Sequence, residues 1–309
     1  MTQSFAEWIS EGPWPIDGGL SGELEKRGHD LSDSLWSARL LRDAPEAIAE
    51  VHRDYVDAGA RVLISASYQA SRVGFAAQGL SNDEADDLMR LSIALAHQEA
   101  ANGNDKVWVA ASVGPYGAVL GGGQEYVGNY GVAHDDLVTF HRDRLAVLAS
   151  ANPDLFACET IPDMVEVRAL LEALADFSHI PAWITMSADT SETCCAGQLI
   201  DELASLVADS PNVVAIGVNC TKPEFVTSLV SILSAATSLP LVVYPNAGRV
   251  WDGENRSWIG AGLATLPAIA VNEWVGQGTQ LIGGCCGLGP EAIQQLDVDL
   301  AALRDSSGK

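Results

Sequence analysis

Three cysteines are placed to do chemistry together. Cys220 ends the run Gly217-Val-Asn-Cys220, and Cys285 and Cys286 are adjacent within Gly283-Gly-Cys-Cys-Gly287. Three thiolates can hold Zn²⁺ at about 2.3 Å each and leave the fourth tetrahedral position open, which suits a catalytic rather than a structural site. Glycines on both sides of the pair allow the backbone to turn its two sulfurs toward one point. Zinc also strips the proton from a coordinated thiol. Three thiolates on a dication leave one excess negative charge, and a bound substrate thiolate adds another. That excess keeps the substrate sulfur nucleophilic.

These residues need a scaffold that brings distant segments to one place. Eight apolar runs could supply it: Trp14–Asp17, Arg61–Ala66, Val107–Val113, Asp154–Cys158, Ala182–Ser187, Val213–Val218, Leu241–Tyr244 and Leu281–Gly283. Most are continuous and aliphatic, as parallel strands buried on both faces require. Amphipathic helical patterns lie between them. Asp43-Ala-Pro-Glu46, Ser81-x-x-Glu84 and Thr221-Lys-Pro-Glu224 read as helix starts, and Pro290 opens the last helix. The alternation predicts an α/β fold, a single (β/α)8 TIM barrel with extended βα loops, occupying residues 1–309 as one domain.

In such a barrel the reactive groups follow the C-terminal ends of the strands. Asp17 and Gly18, Glu159 and Thr160, Cys220, Asn246, and Cys285-Cys286 all fall there. Two connections are long enough to act as lids, Gly114–Gly131 and Pro245–Leu263. Tyr68, Tyr116, Tyr126, Tyr244 and Trp251 lie on the same loops and offer aromatic faces to a cation.

The chain carries 17 basic and 41 acidic residues, a formal charge of -24, which argues against nucleic acid or an anionic membrane as partner. No apolar stretch is long enough to span a bilayer. MTQSFAEWIS has neither a basic nor an apolar signal region, and adjacent cysteines do not suit a disulfide framework, so a reduced, cytoplasmic protein is expected. Oligomeric state has no signature here.

The motifs together resemble the homocysteine S-methyltransferase family. They are Asp17-Gly-Gly, Leu35-Trp-Ser, Ser67-Tyr-Gln-Ala, Gly114-Pro-Tyr-Gly117, Glu125-Tyr126, Cys158-Glu-Thr160, Gly217-Val-Asn-Cys220, Val243-Tyr-Pro-Asn246 and Gly283-Gly-Cys-Cys286, in family order over nearly the whole chain. The nearest likeness is to the stand-alone branch that uses S-methylmethionine or S-adenosylmethionine. The resemblance implies that Cys220, Cys285 and Cys286 bind Zn²⁺ and that homocysteine sulfur takes the open position. It places Asp17 and Glu159 on the substrate ammonium, with N–H groups near Gly18 and Thr160 for its carboxylate, and Asn246 in the same substrate set. The thiolate would attack a sulfonium methyl in line, giving methionine without a covalent enzyme intermediate.

Departures from the family pattern fall on loops that could face the donor: Gly22, Thr193-Cys-Cys-Ala-Gly197, Ala247, Arg249 and Gly287-Leu-Gly. The alternatives are a selenohomocysteine or selenocysteine acceptor, a betaine donor, or a non-catalytic zinc or redox-thiol protein using Cys194-Cys195. Gly18-Gly-x-x-Gly22 lacks the spacing of a dinucleotide fingerprint.

Overall fold

Parallel pairing of short aliphatic strands dominates the computed structural model, which describes residues 3–31, 36–252 and 257–307. The barrel strands are β1 (Trp14–Pro15), β2 (Val62–Ile64), β3 (Trp108–Val113), β4 (Leu155–Ile161), β5 (Ala182–Met186), β6 (Val213–Asn219), β7 (Leu241–Tyr244) and β10 (Thr279–Ile282). They hydrogen-bond in the order β1-β10-β7-β6-β5-β4-β3-β2. A parallel bridge between Ile16 and Val62 brings the two ends together, supported by Asp17 N–H donating to Val62 O at 3.1 Å. The eight expected strands are all present, with helices between them, as a (β/α)8 barrel requires.

Boundaries differ most at β4, which runs past Cys158 to Ile161. Its register with β5 shifts between Cys158 and Ile161, where Thr160 takes a positive φ of 59°. An antiparallel hairpin, β8 (Val250–Asp252) with β9 (Ser257–Ile259), was not foreseen in the long connection after β7. Two helix starts were also misplaced. Ala44, not Asp43, precedes the helix Pro45–Asp57, and Lys222, not Thr221, precedes Pro223–Ala236. Proline at the first helical position sets the start in both, leaving Thr221 to accept from Ala188 N–H at 3.0 Å. Ser81 and Glu84 do form the expected capping box.

Side chains alternate across each strand, and the barrel interior reads off that period. Ala110, Leu155, Ala157, Trp183, Ala215, Val242 and Leu281 pack in one inner cluster. The short helix Phe5–Ile9 closes the N-terminal end of the barrel. Its Phe5 meets Trp108 edge-on at 5.3 Å, and Trp8 stacks on Trp14 at 5.2 Å. Further along the same faces the polar Ser112, Glu159 and Tyr244 line the opposite mouth, with Thr185 and Asn219 fully buried and hydrogen-bonded to each other. No described helix is long and apolar enough to cross a membrane. Leu35 lies outside the described residues, as do the side chains of Trp36 and Trp251.

Candidate active site and metal centre

At the C-terminal mouth of the barrel, one cleft is lined by Asp17, Gly18, Glu159, Thr160, Cys220, Cys285 and Cys286, together with Ser112, Tyr68, Tyr126 and Tyr244. Residues from four separate strand ends therefore meet as the sequence predicts. Close approach of the β1 and β10 loops depends on glycine. A Cβ on Gly18 would lie 2.4 Å from Leu288 O, and one on Gly19 would lie 2.6 Å from Cys285 O. Gly19 N–H instead donates to Leu288 O at 2.9 Å.

The three cysteine sulfurs all lie within 4.8 Å of one another, and they are the group among the described residues able to hold a metal ion. Cys220 Sγ and Cys286 Sγ are 3.7 Å apart. Two sulfurs on one tetrahedral Zn²⁺ at about 2.3 Å stand about 3.8 Å apart, so the spacing and the donor set fit the metal. None of the three is in a disulfide. Cys220 occupies a left-handed backbone conformation, φ 46°, which costs a non-glycine residue energy and persists only where its surroundings enforce it. Here Cys220 N–H is held by Tyr244 O at 3.0 Å and Cys220 O by Asn246 Nδ2 at 3.1 Å. Cys285 N–H donates to Pro245 O at 2.8 Å, and Ala247 N–H to Cys286 O at 2.8 Å.

Within the cluster Cys220 is the sulfur that ionises most readily, because the Cys285 and Cys286 thiols and the Tyr126 hydroxyl bond to it. Cys285 and Cys286 are held up in turn, mainly by their bonds to Cys220. Tyr126 Oη lies 3.1 Å from Cys220 Sγ.

Facing the sulfurs are two buried carboxylates. Asp17 Oδ2 accepts Ile64 N–H at 2.7 Å. Burial raises its pKa well above the usual carboxylate range, the Ile64 N–H opposes this, and Glu159 adds repulsion. Glu159 is pushed up to about 7 by burial, despite hydrogen bonds from Ser112 and Tyr244, with the charge of Cys220 adding to the shift. No lysine or arginine lines this cleft among the described residues. Two desolvated carboxylates without a cation form a pocket that favours an ammonium group.

Some sequence-predicted roles move. Thr160 lines the cleft, but its N–H is already donated to Asn219 Oδ1 at 2.7 Å and its Oγ1 accepts from Asn219 Nδ2 at 2.7 Å. That N–H fixes the loop and does not await a carboxylate. Asn246 is not among the residues facing the cleft. It braces the Cys220 carbonyl and accepts Gly248 N–H at 2.8 Å. Tyr116 packs against Tyr130 and Phe140 instead of the cleft. Cys194 bonds Gln198 and Cys195 bonds Ser187, outside the three-cysteine cluster.

Two contributors were missed. Ser112 donates to Glu159 Oε1, and the period-2 pattern of β3 placed it inward. Arg144, buried in the helix His134–Ser150, donates to the carbonyls of Gly114, Ser67 and Tyr68 at 2.8, 3.0 and 3.0 Å. It ties the loops after β2 and β3 together, and only its position in an apolar helical stripe hinted at this.

Known proteins share this arrangement of chain. The profile of the family described as homocysteine S-methyltransferase matches residues 16–300. Homocysteine S-methyltransferase YbgG of Bacillus subtilis (strain 168) is 41% identical, covering 91% of this chain and 92% of its own. A selenocysteine Se-methyltransferase of Brassica oleracea var. italica is 38% identical, with 94% and 89% covered. Among solved structures, the metallated form of the homocysteine methyltransferase MmuM from Escherichia coli superimposes with a TM-score of 0.83 at 40% identity, over 92% of this chain and 95% of that one. The chain belongs to the homocysteine S-methyltransferase family, a family of methyltransferases.

Proposed function

We propose that this protein is a zinc-dependent homocysteine S-methyltransferase that transfers a methyl group from a sulfonium donor, S-methylmethionine or S-adenosylmethionine, to homocysteine, giving methionine. One observation carries the reading: a three-thiol cluster, its Cys220–Cys286 pair at the spacing of two ligands on one tetrahedral metal, opens onto the same cleft as two buried carboxylates without a cation. Cys220, Cys285 and Cys286 would hold the metal. When bound, Zn²⁺ supplies Lewis acidity that lets a thiol lose its proton near neutral pH, and a fourth position for the substrate sulfur.

The chain's own groups do the rest. Asp17 and Glu159 hold the acceptor ammonium, fixing the amino acid end. Ser112 and Tyr244 keep the Glu159 carboxylate oriented. Tyr68, Tyr126 and Tyr244 present aromatic surface to the cationic donor, an attraction of about 0.5–2 kcal/mol where desolvated. Because no proton moves during methyl transfer itself, alignment of sulfur, methyl and leaving group is the remaining requirement.

A selenol acceptor fits the same reading, favoured by the 38% identity to a selenocysteine Se-methyltransferase. The deciding assay offers homocysteine or selenocysteine with S-methylmethionine, S-adenosylmethionine or betaine, with and without a chelator. We expect sulfonium-dependent methionine formation that the chelator abolishes and zinc restores. Turnover indifferent to the chelator would overturn the metal role, and turnover with betaine alone would overturn the donor class.

A further inference from the structure

Methyl transfer to a thiol beside three cysteine thiolates poses a selectivity problem, since every sulfur in the site can attack the donor. Tyr126 bears on it. The loop Gly114–Gly131 carries a short 3₁₀ turn, Gln124–Tyr126, and brings the Tyr126 ring into the cleft lining with Oη 3.1 Å from Cys220 Sγ. A metal-held thiolate has no proton, so the phenol must be the donor of this bond. The loop is anchored at its far side by Asn129 N–H donating to Asp163 Oδ2 at 2.9 Å, and Gly117 packs against Gln124 and Tyr130. Cys220, the most buried of the three cysteines, is therefore the sulfur that this loop contacts through a hydroxyl.

We propose that the Tyr126 hydroxyl protects Cys220 from methylation by hydrogen-bonding its thiolate, so that the substrate sulfur is the one that receives the methyl. A charge-assisted O–H···S bond stabilises the anionic lone pair that would attack, and its loss raises the nucleophilicity of that sulfur. The side reaction is balanced without an oxidant. The Cys220 thiolate lone pair forms the new S–CH₃ bond, and the electron pair of the donor's S–CH₃ bond leaves on the donor sulfur. The products are S-methylcysteine and a neutral thioether.

This inference rests on the sulfonium-donor reading above, and the test separates the two. Zinc-loaded wild type and Tyr126→Phe are incubated with S-methylmethionine without homocysteine. Peptide mass spectrometry then reads methylation at Cys220, Cys285 and Cys286, and parallel samples given homocysteine are assayed for homocysteine-dependent methionine formation. The expected result is Cys220 methylation about tenfold or more faster in Tyr126→Phe, the size of one hydrogen bond to a charged group, with Cys285 and Cys286 changing little. An unchanged rate at Cys220, or an equal rise at all three cysteines, overturns the proposal where wild type makes methionine. Wild type that makes none with any sulfonium donor defeats the functional reading instead. Cobalt-loaded protein gives a readout independent of turnover. The thiolate-to-cobalt absorption should move to lower energy in Tyr126→Phe, and an unmoved band counts against the hydrogen bond.

Discussion

The cysteines and carboxylates differ in what each removes when replaced. Cys220→Ser or Cys286→Ser exchanges a thiolate for a hydroxyl that stays protonated, leaving too few strong ligands. Both variants should lose bound zinc and methyl transfer together, as read by elemental analysis and a methionine assay. Glu159→Gln removes one proposed partner of the acceptor ammonium but none of the proposed metal ligands. It should weaken homocysteine binding by about 1.5–3 kcal/mol, roughly ten- to a hundredfold in KM, with zinc content unchanged. Equal loss of metal and acceptor binding would make Glu159 part of the metal site. At this scale the sequence was readable wherever chemistry dictated residue type: adjacent cysteines between glycines, and acids at strand ends. The strand period pointed Ser112 inward but not to its Glu159 partner. Arg144 and the Tyr126–Cys220 contact were hidden because each depends on which loop carbonyl or sulfur lies opposite, which spacing along the chain does not encode.

Elements were legible through periodicity and less so at their ends. The helix Pro45–Asp57 shows both sides. Of the stripe Ile48, Val51, His52, Tyr55 and Val56 that the 3.6-residue period predicts, the first four are buried and Val56 is half-buried, while the helix start follows Pro45 and not the acidic Asp43. The same burial makes His52 pH-sensitive. The residue is 1% exposed, both ring nitrogens lack partners, and desolvation lowers its pKa to about 4, with Glu99 opposing. In the unfolded chain the ring titrates near its ordinary value of about 6.5. Between those two values the unfolded state binds a proton that the folded state does not, so stability is present above about 6.5 and is lost as pH falls toward 4. The shift corresponds to about 3 kcal/mol by pH 4. Urea unfolding at both pH values should show a shallower acid loss for His52→Leu than for wild type, and parallel losses would mean the ring is hydrated in the folded protein.

For the whole molecule, the eight-strand alternation was enough to predict the barrel, because parallel strands buried on both faces leave a continuous aliphatic signal. The Phe5–Ile9 plug was not foreseen. A five-residue helix has too few turns to show a period, and its aromatic side chains are explained only by the open barrel end they fill. Net charge is a property of the same scale, with 41 acidic against 17 basic residues. A field of that sign should draw in a cationic donor and leave a net-neutral amino acid unaffected. S-methylmethionine carries one net positive charge, while homocysteine near neutral pH is a zwitterion. Raising salt from about 0.01 M to about 1 M shortens the screening length from about 30 Å to about 3 Å, which removes long-range steering but spares contacts inside the cleft. The expected outcome is a severalfold fall in kcat/KM for S-methylmethionine, with kcat and the homocysteine KM nearly constant. A donor kcat/KM that does not respond to salt would assign the acidic surface to solubility alone, leaving donor recognition to the aromatic rings within the cleft.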